Sequence, residues 1–252
     1  MKILLVNPNT TASMTQAIAA AARAVAAPGT RVLATQPGFG PVSIESHYDE
    51  AVAAAGVAEQ VRLAAADPPD ATVLACFGDP GLDAAREALD GPVLGIAEAA
   101  FHAASFVATG FSVVTTMTRT CVMAERLVQR YGFERACRGI HGTDIPVLAL
   151  EQAGAPLVAQ LEAAAREALA RDGSGAIVLG CAGMAPLCAT LGERLGVPVI
   201  DGVAAAVKLA EALVGLGLRT SKRGDYAPPP PKPFMGWARE LGWAPGRGGG
   251  AG

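Results

Sequence analysis

Short aliphatic runs recur along this chain, separated by longer stretches in which Ala, Leu, Glu and Arg dominate. The runs Lys2–Val6, Arg31–Thr35, Ala71–Ala75, Val93–Ile96, Ser112–Thr115, Ile145–Leu148, Ala176–Gly180 and Val197–Ile200 have the length and composition of buried strands. Between them lie Ser13–Ala26, Asp49–Ala66 and Pro156–Arg171, built from strong helix formers. Such alternation predicts an α/β fold of parallel sheets covered by helices. The stretch Gly202–Leu218 reads as a further helix that packs back on the first half. From Arg219 the pattern lapses. Pro228–Pro231, Pro233, Trp237, Trp243 and a final GRGGGAG predict an extended packing arm, with residues 241–252 disordered.

The pattern also repeats. VLACFGDPGLDAAREALDGPVLGIAEAA around Cys76 and VLGCAGMAPLCATLGERLGVPVIDGVAAA around Cys181 share one design. Each is an apolar run, Cys, one residue, Gly, a helical stretch, then Gly and a Pro-Val-hydrophobic strand. Cys76 aligns with Cys181, Gly78 with Gly183, Leu82 with Leu187 and, after one inserted residue, Pro92 with Pro198. Further back, Ile3–Val6 with Asn7-Pro8-Asn9-Thr10 aligns with Ser112–Thr115 and the polar residues after it. The repeat predicts two pseudo-symmetric, Rossmann-like half-domains. The first takes residues 1–100 plus about 205–240, the second 101–204, and the active site lies in the cleft between them.

Composition narrows the function classes. A net charge of -3 over 252 residues gives no reason to expect nucleic acid as a partner. Gly, Pro or charge interrupts every apolar run before it reaches a membrane span. MKILLVNPNT is a strand followed by polar turn residues, unlike a signal peptide, so a cytoplasmic location is expected. There, five cysteines are expected to be free or catalytic. The absence of CxxC and Cys/His clusters predicts no metal, and the absence of GxxxxGK and of GxGxxG after a strand predicts no nucleotide cofactor.

In parallel sheets, ligands bind beyond the carboxyl ends of the strands. Four loops fall there. The first is Asn7–Thr11, with Asn9 or Thr10 directed to a polar ligand and Thr11 or Ser13 nearer the helix cap. The second is Cys76–Gly81, where Phe77 and Gly78 line a site and Asp79 binds ligand N–H, orients the thiol or caps a helix. The third is Thr115–Arg119, offering Thr115, Thr116 and Thr118. The fourth is Cys181–Met184, with Ala182 and Gly183 beside the thiol. A cysteine before a helix N-terminus is expected to have a lowered pKa, and the glycine two residues on lets backbone approach a ligand. One such cysteine reads as a small buried hydrophobe; two at matched repeat positions read as function. Cys188 is read as core, Cys121 as near the site without a counterpart, and Cys137 as structural. His47, His102 and His141 fall in no catalytic order.

NPNT after the first strand, GPVSIESHYDEA at Gly40–Ala51, CFGDPGLDAARE, VVTTMTRT and VLGCAGMAPL, in that order, resemble the hydantoin racemases of the aspartate/glutamate racemase superfamily. The resemblance spans residues 1 to about 240. It implies cofactor-independent racemisation by two cysteines, Cys76 and Cys181, on a small hydantoin-type ring, and a homo-oligomer. After the cysteines come Phe-Gly-Asp and Ala-Gly-Met instead of the Asn-Thr and Thr-His of the amino-acid racemases. Groups suited to an α-carboxylate are thus lost, and Phe77, Met117 and Met184 become candidate walls of an apolar pocket. With Arg119 the one cation in these loops, an uncharged ring is favoured over a dicarboxylic acid. Allantoin, a ureido-substituted hydantoin, stays open as substrate. So do a decarboxylase or cis–trans isomerase of the superfamily, against which the second cysteine argues, and a non-catalytic small-molecule binding protein. A disulfide role is weakest, because thiols on opposite sides of a substrate lie beyond the roughly 7 Å Cα separation a bridge needs.

Overall fold

The computed structural model describes residues 1–152 and 154–243. Eight strands form two sheets of four. The first sheet has the order β2 (Arg31–Thr35), β1 (Lys2–Val6), β3 (Ala71–Leu74), β4 (Val93–Gly95); the second has β6 (Cys137–Gly142), β5 (Phe111–Thr115), β7 (Ala176–Leu179), β8 (Val199–Asp201). All neighbours are parallel, and the orders match strand for strand. Residues of β3, β5 and β7 are buried throughout, which is why these strands read as unbroken aliphatic runs. In this order the chain reverses direction across the sheet between β1 and β3, and again between β5 and β7. Those are the switch points where parallel sheets bind ligands.

The helices are α1 (Ala12–Val25), α2 (His47–Ala64), α3 (Leu82–Ala88), α4 (Ile96–Val107), α5 (Cys121–Arg130), α6 (Ala155–Asp172), α7 (Cys188–Leu195) and α8 (Gly202–Gly215). Two of them join the halves. α4 follows β4 yet also packs on β7 and β8, while α8 follows β8 and packs on β3, β4 and α1. The two helices pack on one another, and Ala97, Ala100 and Ala104 on α4 and Val203, Ala206 and Ala210 on α8 are buried in the same cluster. One hydrophobic cluster therefore runs through both sheets, from Ile3 and Val73 to Val113 and Val178, with Phe101 stacked on Phe111 between them. α4 passes straight through residue 100.

The approach of α4 and α8 depends on a missing side chain. A Cβ on Gly202 would collide with the Ile96 backbone carbonyl. Gly202→Ala is expected to lower stability by about 1–3 kcal/mol through overpacking, read as a lower urea midpoint; an unchanged midpoint would show that the two helix starts have slack.

One strand differs from the sequence expectation. Ile145–Leu148 is not a strand; β6 is Cys137–Gly142. Its sequence, CRGIHG, carries no apolar run because it is a partly exposed edge strand. Ile145, Val147 and Leu150 are buried from an irregular segment and a 3-10 helix, Val147–Gln152, so their apolar character reflects packing and not pairing. The arm from Arg219 starts out firmly docked. The Lys222 ammonium donates to the Arg86, Glu87 and Leu89 carbonyls at 2.6, 3.1 and 2.7 Å, capping the end of α3. Farther on, the 3-10 helix Gly236–Leu241 sets Trp237 edge-on against Phe39, with centroids 6.2 Å apart. Leu241 thus falls in an ordered turn, while the GRGGGAG end lies outside the described residues. No described helix is long and apolar enough to cross a membrane.

Candidate active site

The loops that leave β1, β3, β5 and β7 converge on one cleft. It holds about 620 Å³ of empty space, counting its open mouth. Cys76 and Cys181 both line it, together with Asn9, Phe77, Gly78, Thr115, Thr116, Ala182 and Gly183. Its remaining walls are mostly apolar: Met14, Ile44, Ala75, Met123, Ala124 and Val147, with Thr120 and Gly180. No charged residue is among them. Among the described residues no group of three or more His, Cys, Asp or Glu is placed to hold a metal ion.

All five cysteines are free thiols. Cys76 and Cys181 are half-buried, so each sulfur meets the cleft while protein atoms surround the rest. Burial pushes Cys76 up to about 12 and Cys181 up to about 11, because a thiolate loses water there. Backbone N–H groups oppose this, from Gly78 at Cys76 and from Gly183 and Met184 at Cys181, but burial outweighs them. This corrects the expectation of a lowered thiol pKa. The helix after Cys76 begins only at Leu82, too far to act strongly, and Cys181 precedes a 3-10 turn. Neighbouring carboxylates add to the rise: Asp79 and Glu50 at Cys76, Glu45 at Cys181.

The orientation of Asn9 follows from its neighbours. The Thr11 N–H can only donate, so the Asn9 atom facing it at 2.9 Å is Oδ1; the Asn7 amide donates to that same oxygen at 2.9 Å. Asn9 Nδ2 is left with a thioether partner, Met14 Sδ at 3.1 Å. Sulfur is a weak acceptor, so Asn9 presents a donor to the cleft. Thr115 uses its hydroxyl on the Gly180 carbonyl at 2.9 Å, tying the ends of β5 and β7 together.

Three residues singled out in the sequence sit elsewhere. Thr10 donates its hydroxyl to the Pro41 carbonyl at 3.2 Å and does not line the cleft. Thr118 is exposed on a 3-10 turn, its N–H bound to Asp144; Thr120, two residues on, lines the cleft in its place. Asp79 is 3% exposed and its carboxylate accepts from Ala97 N and Glu98 N at 3.1 Å and from the Tyr131 hydroxyl at 2.9 Å. It therefore caps α4 and not its own helix. Burial raises its pKa to about 6 despite those three donors. Of the apolar candidates Phe77 lines the cleft, whereas Met184 is fully buried core and Met117 is not on the wall. The methionines that are on it, Met14 and Met123, come from α1 and α5 and carry no sequence signal. Of the histidines, His102 is exposed against Phe133, His47 pairs with Glu50, and His141 donates its Nε2–H to the Asp172 carboxylate at 2.6 Å.

Comparison with known proteins shows the family. A model of the Asp/Glu/Hydantoin racemase family matches residues 3–210. A hydantoin racemase of Rhizobium meliloti is 49% identical over 233 residues, covering 91% of this chain and 95% of its own. Another, of Pseudomonas sp. strain NS671, is 45% identical over 242 residues, covering 96% and 97%. The solved structure of an allantoin racemase from Klebsiella pneumoniae superposes with a TM-score of 0.93 at 54% identity, covering 96% of this chain and 98% of that one. The chain belongs to the Asp/Glu/hydantoin racemase family of isomerases.

Proposed function

We propose that the protein racemises 5-monosubstituted hydantoins by proton transfer between Cys76 and Cys181. The observation that carries this reading is that the two cysteines, from matched positions of the two halves, line the same uncharged cleft. With the ring between the sulfurs, one thiolate takes the C5 proton. The C5–H bond breaks, an S–H bond forms, and the electron pair moves into the ring as an enolate on the adjacent carbonyl oxygen. The opposite thiol then gives its proton to the other face of C5 and becomes the thiolate. Each cysteine is thus base for one enantiomer and acid for the other. The Asn9 amide N–H is the donor suited to the enolate, while the backbone N–H groups of Gly78 and Gly183 serve the two sulfurs. No charged side chain is among the residues lining the cleft, in keeping with a neutral ring.

Met14, Phe77, Met123 and Val147 favour an apolar substituent at C5. A second reading, allantoin as substrate, draws on the 54% identity to the Klebsiella pneumoniae protein. Polarimetry on each enantiomer of 5-benzylhydantoin and on (S)-allantoin, without added cofactor and with chelator, separates the two. The expected kcat/KM for benzylhydantoin exceeds that for allantoin at least tenfold. The reverse ratio would move the protein to the ureido substrate, and no decay of either would end the racemase reading.

A further inference from the structure

The segment between Gly40 and Ser46 contributes Ile44 to the wall of the cleft. Its first part is fixed to the first half. The Pro41 carbonyl accepts from the Thr10 N–H at 3.0 Å and from its hydroxyl, and the Val42 carbonyl accepts from the Thr11 hydroxyl at 2.7 Å. Its end is fixed as well: Ser46 caps α2 through the Asp49 N–H, and the Glu45 N–H donates to the Asp49 carboxylate at 3.1 Å. Between these anchors, one side chain reaches the second half. Glu45 Oε1 accepts from the backbone N–H of Val147 at 2.8 Å. Val147 is itself a wall residue of the cleft, so this bond joins two pieces of wall that belong to opposite halves. The turn that carries Val147 has one more tie to the first half, from the Ser13 hydroxyl to Glu151 at 2.7 Å.

We infer that Glu45 is a positioning residue that narrows the cleft, its carboxylate fastening the Gly40–Ser46 strap of the first half to Val147 of the second. Ile44 and Val147 flank the bond on the cleft side, so breaking it parts the walls that exclude water from the thiols. The strap is short and pinned at both ends, which leaves the Glu45 side chain as the part able to let go. Substrate entry and product exit then run through the opening of this bond. The same carboxylate also favours the protonated form of Cys181, so closure and the proton-donor state of that thiol go together.

Glu45→Gln and Glu45→Ala separate the bond from the charge. A glutamine carbonyl still accepts from the Val147 N–H, whereas alanine cannot; both remove the negative charge. The inference rests on the cleft being the reaction site, but alkylation is read without turnover, so it fails or stands independently of the racemase reading. The experiment is iodoacetamide labelling of the full-length protein across a pH series, followed by peptide mass spectrometry, with Cys137 and Cys188 as internal references. Thiolate-specific rates, corrected for each thiol's titration, are compared at Cys76 and Cys181. Glu45→Gln is expected within about twofold of wild type and Glu45→Ala at least fivefold faster, with KM for a neutral hydantoin raised in the alanine variant and restored in the glutamine one. If Glu45→Ala does not fold, Ser13→Ala cuts the neighbouring tie and is expected to speed labelling in the same direction. Equal rates in wild type and the variant that cuts a tie, or equal acceleration in the Gln and Ala variants, would overturn the inference.

Discussion

Replacing Cys76 with serine is expected to lower racemisation by about 10²–10⁴-fold, the usual weight of a positioned acid or base, without unfolding the protein. The substitution keeps the size of the side chain and leaves the wall intact, but a hydroxyl at that site is a far weaker base than a thiolate. The more telling consequence is asymmetric. Cys181 remains and still reaches one face of the ring, so one enantiomer continues to exchange its C5 proton with solvent while its configuration is retained. The other enantiomer does neither. Cys181→Ser is expected to show the same loss with the enantiomers interchanged. Proton NMR in deuterated buffer, run on each enantiomer with each variant, reads both effects. Exchange of both enantiomers in either variant, or racemisation within tenfold of wild type, would break the pairing of one cysteine with one face.

The second large effect is a dependence on pH. Half-buried Cys76 and Cys181, pushed up by loss of water to about 12 and 11, are protonated at neutral pH, so the working thiolate is a minor species. Raising the pH by one unit raises that fraction about tenfold while the partner stays a thiol. The logarithm of kcat/KM is therefore expected to climb with a slope near one from about pH 7 to pH 10, a span of roughly 10³ in rate. A plateau at pH 8 would mean instead that the N–H groups of Gly78, Gly183 and Met184 outweigh burial once substrate excludes water. The same shifts carry a stability consequence of definite sign. The unfolded chain loses its thiol protons near the ordinary value of 9.0 and the native cleft near 11 to 12, so stability falls as pH rises through that window. Alkaline melts of the native enzyme and the double Cys76→Ser, Cys181→Ser variant expose the difference.

How much of this could be read from the residues depended on where each group's partners lie. β1, β3, β5 and β7 are central strands, the last three buried throughout, so their sequences are plain aliphatic runs and the loops after them are easy to mark. The internal repeat then pairs Cys76 with Cys181. β6 escaped because an edge strand needs no apolar run, and Ile145–Leu148 misled because an irregular segment can be as apolar as a strand. Asp79 was ambiguous for a further reason. The N–H groups that take its carboxylate belong to Ala97 and Glu98, and the hydroxyl to Tyr131 of the other half, none of them adjacent in sequence. Met14, Ile44, Met123 and Val147 reach the cleft only through the way α1, the strap, α5 and the 3-10 turn Val147–Gln152 pack. The crossing of α4 onto the second sheet is likewise a tertiary fact, since an Ala-rich helix fits either sheet equally well.

The central claim is that two different sulfurs serve the two faces of one carbon. It is tested most directly by following a single enantiomer of 5-benzylhydantoin with the unmodified enzyme in deuterium oxide, over the first tenth of the reaction. A thiol exchanges its proton with solvent before it donates, so the account predicts that every inverted product molecule carries deuterium at C5 while the unreacted substrate still carries hydrogen. Product that keeps the original hydrogen, or substrate that takes up deuterium as fast as it inverts, would mean that a single base serves both faces.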